Sequence, residues 1–207
     1  MKRLVQLVTH FSWDALVFFL PVTSLPLISR LAGGTDVAPL SAVFLVILVL
    51  TWLLPKFLRG EGIPIQATPL VFFVLVALAS SLAAFFLPIP SFTTVPIWKN
   101  ELTSLITLAI GGCFFLVTSL WISDEGKLER FFRIVNFSGG LALLYALVQG
   151  VFVVLLNESP AALENFQDLI SSSQTLFVGR VNGLAFEPSW LAHQLNMFYI
   201  PIWLGLS

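Results

Sequence analysis

The sequence has little charge and almost no cysteine or histidine. Only 10% of its 207 residues are charged, and it contains one cysteine and two histidines. A single cysteine excludes an intramolecular disulfide and a thiolate metal cluster, so no metal or other cofactor is predicted. The net charge of -1 gives no indication of a nucleic-acid partner. The sequence also lacks Walker, Rossmann, zinc and nucleophile-elbow motifs, which argues against soluble nucleotide chemistry.

Apolar residues make up most of the chain instead. They account for 57% of the sequence, with 20 phenylalanines, and the mean hydropathy is +0.96. This composition leaves too little polar surface to cover a water-soluble domain. Because backbone groups in lipid must be paired within the spanning segment, apolar stretches predict helices. The predicted fold is therefore an all-α integral membrane protein, a polytopic transmembrane helix bundle forming one domain over residues 1–207 in the lipid bilayer.

Apolar stretches of about 20 residues predict about six spanning helices. They cover residues 13–31, 37–54, 69–87, 101–122, 134–156 and 188–207. The first contains Asp14, Pro21 and Pro26, so it is expected to be kinked or broken. Asp14 is interpreted as a helix-start residue at the interface. The second and third spans are expected to end at Pro55 and Pro88.

Basic residues are distributed unequally between the two sides of this arrangement. Seven fall on one side, Lys2, Arg3, Lys56, Arg59, Lys127, Arg130 and Arg133, and three on the other, Arg30, Lys99 and Arg180. The side richer in lysine and arginine is normally cytoplasmic, which predicts a cytoplasmic N-terminus. The tryptophans lie at or near predicted helix ends, where amphipathic rings favour the interface.

The longest connection, residues 157–187, is then an external loop. Ser159 is predicted to cap a helix that begins at Pro160. Apolar residues follow at helical spacing opposite two acidic ones, namely Leu163, Phe166, Leu169 and Ile170 opposite Glu164 and Asp168. This pattern predicts a short amphipathic helix on the outer membrane surface.

A candidate anion site lies where this loop meets the sixth span. A helix starting at Pro188 directs its N–H groups outward beside Ser189, and Arg180 precedes it through the turn-forming pair Asn182-Gly183. An arginine fork matches phosphate oxygens, so these residues are predicted to hold a diphosphate. The alternative is that Arg180 extends to lipid headgroups and Glu187 caps the helix.

Two polar stripes lie within predicted spans. In span six Ser189, His193 and Asn196 share one face, and in span five Tyr145 and Gln149 share one face with Ser138. Inward polar residues often mark a substrate path, whereas the alternative is simple hydrogen bonding between helices. His193 is a candidate for proton transfer or for a structural role.

The run from Arg180 to Ala192, RVNGLAFEPSWLA, resembles the segment R-x-x-G-x-x-x-E-P-S-x-x-A of the O-antigen polymerase and ligase superfamily. The resemblance implies a bacterial inner-membrane glycosyltransferase that passes a glycan from undecaprenyl diphosphate to an acceptor glycan or lipid on the external face. It also implies metal-independent, inverting transfer, with arginines gripping the diphosphate. Glu187 or His193 is then the candidate group for removing the acceptor proton.

The resemblance covers about a dozen residues, and the remaining similarity is topological. Family members usually have more spans and a further external loop with additional arginines, so the chain is expected to represent an N-terminal portion of the family pattern. Two other functions stay open. A small-solute transporter would require broken helices at mid-membrane, and a non-catalytic membrane subunit would leave the cluster from Arg180 to His193 unexplained.

Overall fold

The computed structural model describes residues 2–31, 39–84, 86, 97–177 and 179–206, and within them it contains helices and no strand. The α-helices are α1 (Lys2–Phe18), α2 (Pro26–Leu31), α3 (Leu40–Leu48), α4 (Leu54–Leu58), α5 (Thr68–Ala84), α6 (Ile97–Trp121), α7 (Glu125–Gln149), α8 (Ala161–Ile170), α9 (Pro188–Gln194) and α10 (Ile200–Leu206). π-Helical turns at Val49–Leu53, Gly150–Leu155 and Leu195–Tyr199 continue α3, α7 and α9, and Ile65–Ala67 is a 3₁₀ turn.

Four of these helical stretches are long and apolar enough to cross a membrane, as judged over the described residues. They are Leu40–Leu58, Ile65–Ala84, Trp98–Trp121 and Glu125–Leu155. They correspond to the second to fifth predicted spans. The predicted start at Val37 and the predicted ends at Leu87, Pro88 and Ser207 lie outside the described residues. The chain is thus a helical protein with several candidate membrane helices.

The chain divides into two compact units, residues 1–48 with 124–207, and residues 49–123. In the first unit α1 packs against α3 and α7. The rings of Trp13 and Phe131 lie 6.3 Å apart and those of Phe18 and Phe137 6.1 Å apart, so α1 and α7 run in the same direction. Trp13 is 1% exposed. The indole therefore fills the core between helices, and Trp13 lies inside α1 and not at the predicted helix end.

The expected break in the first apolar stretch is confirmed, but the helix boundaries differ from the prediction. α1 begins at Lys2 and ends at Phe18, seven residues follow, and Pro26 opens α2. Proline favours the first turn of a helix and cannot supply the N–H that a continuing helix needs. Asp14 lies inside α1, paired with Arg130, so its assignment as a helix-start residue is wrong. The ion pair with Arg130 of α7 lowers the cost of placing the Asp14 carboxylate inside an apolar helix.

In the second unit the expected helix end at Pro55 is wrong. The helical stretch continues to Leu58, and the π-helical turn at Val49–Leu53 ends two residues before this proline. A π-helical turn replaces the usual backbone bonds between residues four apart by bonds between residues five apart, and this change lies close to the position where proline has no N–H to donate. Trp52 packs edge-on against Trp121 at 5.1 Å, and α5 has no buried residue. The apolar surface of α5 is thus left outward, as expected for a helix in lipid.

The charged segment before the fifth predicted span is helical and forms the first turns of α7. Asp124 is the N-cap and accepts from the N–H of Lys127 at 2.9 Å, and Glu125 lies in the first turn, where a negative charge complements the helix dipole. Farther along α7, a Cβ on Gly139 would lie 2.5 Å from the ring of Tyr199. This glycine lets the helical stretch 188–206 pack closely against α7.

The predicted helix in the long connection is confirmed as α8, Ala161–Ile170. Its predicted cap is wrong, because Pro160 occupies the N-cap position and no side chain caps the helix. Leu163 and Gln167 are buried, whereas Leu169 is exposed. The face that turns to the protein is therefore centred on Leu163 and Gln167, and the predicted apolar face is divided between protein and exterior.

Candidate functional site

Residues 179–187, here called the Arg180 segment, fold into a fixed turn. Gly179 and Gly183 have φ angles of +66° and +56°, in the left-handed region that glycine adopts without strain. The N–H of Ala185 donates to the carbonyl of Asn182 at 3.0 Å and closes the predicted turn. Ala185 is fully buried against Ala146 and Leu191. The backbone of the segment is therefore anchored between α7 and α9.

A buried glutamine pair attaches this turn to α7 and α8. The N–H of Gly183 donates to Oε1 of Gln149 at 2.8 Å, and Nε2 of Gln149 donates to Oε1 of Gln167 at 3.0 Å. The hydroxyl of Tyr145 donates to the same Gln167 oxygen at 3.1 Å. Gln149 and Gln167 are 1% and 0% exposed. The span-five stripe thus has a hydrogen-bonding role that fixes the turn.

The connection between α1 and α2 provides a second set of anchors. The N–H of Phe186 donates to Oγ1 of Thr23 at 2.8 Å, and Nε2 of Gln194 donates to the carbonyl of Leu20 at 3.3 Å. Sequence reasoning missed these residues and Gln167. The prolines in the first apolar stretch were a signal for these contacts. They interrupt the helix, and buried backbone groups outside a helix need hydrogen-bond partners elsewhere in the protein.

The side chains with chemical potential lie outside this anchored backbone. Arg180 is exposed, and Oγ of Ser189 donates to Oε1 of Glu187 at 2.7 Å. Glu187 occupies the N-cap position of α9 without a side-chain cap bond. His193 is exposed, one helical turn beyond Ser189. An exposed cation, an oriented carboxylate and an exposed imidazole therefore lie on the segment that leads into the helical stretch 188–206 and on its first turns.

Three predicted site residues have positions that change their expected role. Asn182 is 1% exposed and the N–H of Gly183 is already bonded to Gln149, so both shape the turn and do not offer donors to a ligand. Asn196 is exposed on the face it shares with Ser189 and is not joined to the Tyr145 and Gln149 pair by a hydrogen bond in the described residues. The predicted polar path is therefore divided in two.

Comparison of the chain with protein-family models, curated proteins and solved structures finds no match.

Replacing Gln149 by leucine is expected to loosen the Arg180 segment. The change keeps the volume but leaves the buried Gly183 N–H and the Gln167 carbonyl with fewer partners, at a cost of about 1 to 3 kcal/mol. Tm in detergent should fall, and trypsin should cleave after Arg180 faster than in the wild type. Asn136→Leu, on an exposed position of α7, is the matched control. Wild-type cleavage and Tm in Gln149→Leu would show that this network does not hold the segment.

Proposed function

We propose that the chain is a membrane glycosyltransferase of bacterial surface polysaccharide assembly. It transfers a glycan from undecaprenyl diphosphate to an acceptor glycan or lipid on the external face of the inner membrane. The observation that carries the proposal is the Arg180 segment, in which buried anchors hold the backbone while Arg180 is exposed and the half-buried Glu187 is bonded to Ser189. These same residues carry the resemblance to polymerases and ligases of O-antigen.

In the proposed topology the chain crosses the membrane six times. The four apolar stretches supply four of these crossings. The region from α1 to α2 supplies the first crossing, and the helical stretch 188–206 supplies the sixth. The parallel directions of α1 and α7 support the first five of these crossings, because three candidate spans separate the two helices and an odd number of intervening crossings restores the direction. The N-terminus is then cytoplasmic, and α8 lies at the external surface beside the Arg180 segment.

In the proposed reaction Arg180 holds the diphosphate, while Ser189 uses its single hydroxyl proton to orient Glu187. The acceptor hydroxyl oxygen attacks the anomeric carbon, and the bond from that carbon to the diphosphate oxygen breaks. The diphosphate leaves with the electron pair and is stabilised by the Arg180 guanidinium. The acceptor proton passes to Glu187, whose carboxylate is oriented by its bond from Ser189. His193 is the alternative proton acceptor.

A transporter is the second candidate, favoured by the break between α1 and α2. Transporters commonly bind solutes at such breaks, where backbone groups coordinate the cargo. Here backbone groups of the break are already used within the protein, since the carbonyls of Leu20 and Ser24 accept from Nε2 of Gln194 and from the N–H of Ser172. The hydrogen bonds therefore favour an anchoring role for the break and support the transferase proposal.

The transfer reaction itself is the test of the proposal. Membranes containing the full-length protein are incubated with an undecaprenyl diphosphate-linked radiolabelled glycan and an acceptor glycan or lipid. Label should move to the acceptor and undecaprenyl diphosphate should be released in equal amount. Membranes with the Arg180→Ala protein at equal expression serve as the control. Uptake of a labelled solute without any transfer would favour the transporter.

The proposed orientation predicts which cysteines an impermeant thiol reagent reaches in cells whose outer barrier is permeabilised. Both Asn165 on α8 and Glu125 at the start of α7 are exposed, so a cysteine at either position can react. In a Cys113→Ser background, Asn165→Cys should be labelled in these cells because α8 is external in the proposed topology. Glu125→Cys should be labelled only after lysis because the start of α7 is cytoplasmic. The reverse pattern would place the Arg180 segment in the cytoplasm and remove the external site.

A further inference from the structure

A large groove runs along α1 and α7 within the first unit, apart from the Arg180 segment. Its volume is about 940 Å³. Most of its lining is apolar, formed by Phe11, Ala15, Phe18, Phe19, Ile134 and Phe137. Phe11 and Phe137 are 66% and 62% exposed. A ligand for this groove must therefore present a long apolar surface.

Charged residues occupy one part of the groove, toward the start of α7. They are Arg130, Arg133 and Asp14, two positive charges against one negative. Arg130 is held by Asp14, and Arg133 bonds to Glu129 of its own helix at 3.1 Å. The Arg133 side chain is 76% exposed. Because a guanidinium has five N–H donors, both arginines keep donors for an incoming anion.

The order of residues along the two helices separates these parts. Arg130 and Arg133 precede Ile134 and Phe137 on α7, and Asp14 precedes Phe18 on the parallel α1. Apart from Phe11, which precedes Asp14, the aromatic lining of the groove thus follows the charged part along the direction of both helices. This order matches a phospholipid whose phosphate lies toward the start of α7 and whose acyl chain extends toward its end.

We propose that this groove binds an anionic phospholipid, with the headgroup phosphate on Arg133 and Arg130 and an acyl chain along Phe18 and Phe137. Two arginine forks in the lining match phosphate oxygens, and each keeps donors beyond its carboxylate partner, Asp14 or Glu129. A zwitterionic lipid would bring the positive charge of its ammonium group close to the two arginines. The inference does not depend on the proposed glycosyl transfer.

The test is native mass spectrometry of the full-length protein in detergent, titrated with phosphatidylglycerol or with phosphatidylcholine of the same acyl chains. Phosphatidylglycerol should bind more tightly. Arg133→Ala should weaken phosphatidylglycerol about 5-fold, the size expected for one arginine at a membrane surface, and weaken phosphatidylcholine less, because the choline charge offsets that of its phosphate. Phe137→Ala should weaken both lipids. Both substituted side chains are largely exposed, and Tm verifies that the variants are folded.

Arg59→Ala is the matched control, since Arg59 is an exposed arginine outside the groove. Equal weakening by Arg59→Ala and Arg133→Ala would overturn the proposal in favour of general attraction to a basic protein surface. Equal affinity for the two lipids, or wild-type binding of phosphatidylglycerol by Arg133→Ala, would also overturn it. Displacement of the lipid by an equal concentration of glycerol 1-phosphate would indicate a site for free phosphate instead.

Discussion

Replacing Glu187 by glutamine is expected to lower glycan transfer by about 100-fold to 10,000-fold, the usual contribution of a positioned general base. Glutamine keeps the size of the side chain and can still accept from Ser189, but its amide cannot take up the acceptor proton. Because the carboxylate is already oriented by the 2.7 Å bond from Ser189 Oγ, loss of basicity is the main change. The effect should fall on kcat, with expression and Tm close to those of the wild type.

His193→Gln is the companion variant, since this exposed imidazole is the other candidate base. Its transfer rate should stay within about 10-fold of the wild-type rate. A second readout is the pH profile, because the limb belonging to the base should disappear in Glu187→Gln and persist in His193→Gln. The opposite ranking of the two variants would assign proton removal to His193.

Arg180→Ala is expected to lower transfer by about 30-fold to 1000-fold. A charge-assisted contact to a leaving diphosphate in a partly shielded site contributes about 2 to 4 kcal/mol. Arg180→Lys should be impaired less, because lysine keeps the charge and loses the two-donor fork. The ranking of wild type, lysine and alanine is therefore the expected signature. Polysaccharide chain length in a strain lacking its own copy provides the measurement, with expression checked by blot.

Arg30→Ala is the matched control for this series, because Arg30 is an exposed arginine assigned to the same side of the membrane. It should leave transfer unchanged. Wild-type polymer from a well-expressed Arg180→Ala protein would make Arg180 a headgroup anchor. An equal loss in Arg30→Ala would point to a general effect of external charge.

The sequence predicted the apolar helices well because each is encoded by a local run of residues. The second to fifth predicted spans overlap the four membrane candidates. Helix ends were predicted less well, because a charged residue or a proline that usually marks a helix end can be accommodated inside a helix by its surroundings. Asp14 remains within α1 because Arg130 lies beside it, and the helix passes through Pro55 after a π-helical turn.

The position of the candidate site could be predicted, but its anchoring could not. The turn at Asn182-Gly183 and the helix start at Pro188 are local signals, and the structure contains both. The bond from Gly183 to Gln149 joins residues 34 positions apart, and the bond from Phe186 to Thr23 joins residues 163 apart. Gln167 was not predicted because a glutamine between Phe166 and Asp168 is typical of a solvated helix face.

The central claim is that the exposed Arg180, on a backbone fixed by Gln149 and Thr23, binds a diphosphate. The most direct test is equilibrium binding of undecaprenyl diphosphate and undecaprenyl monophosphate to the purified full-length protein. The diphosphate should bind more tightly, and Arg180→Ala should abolish the difference while Arg30→Ala keeps it. Equal affinity of the wild-type protein for both lipids, or an unchanged preference in Arg180→Ala, would contradict the claim.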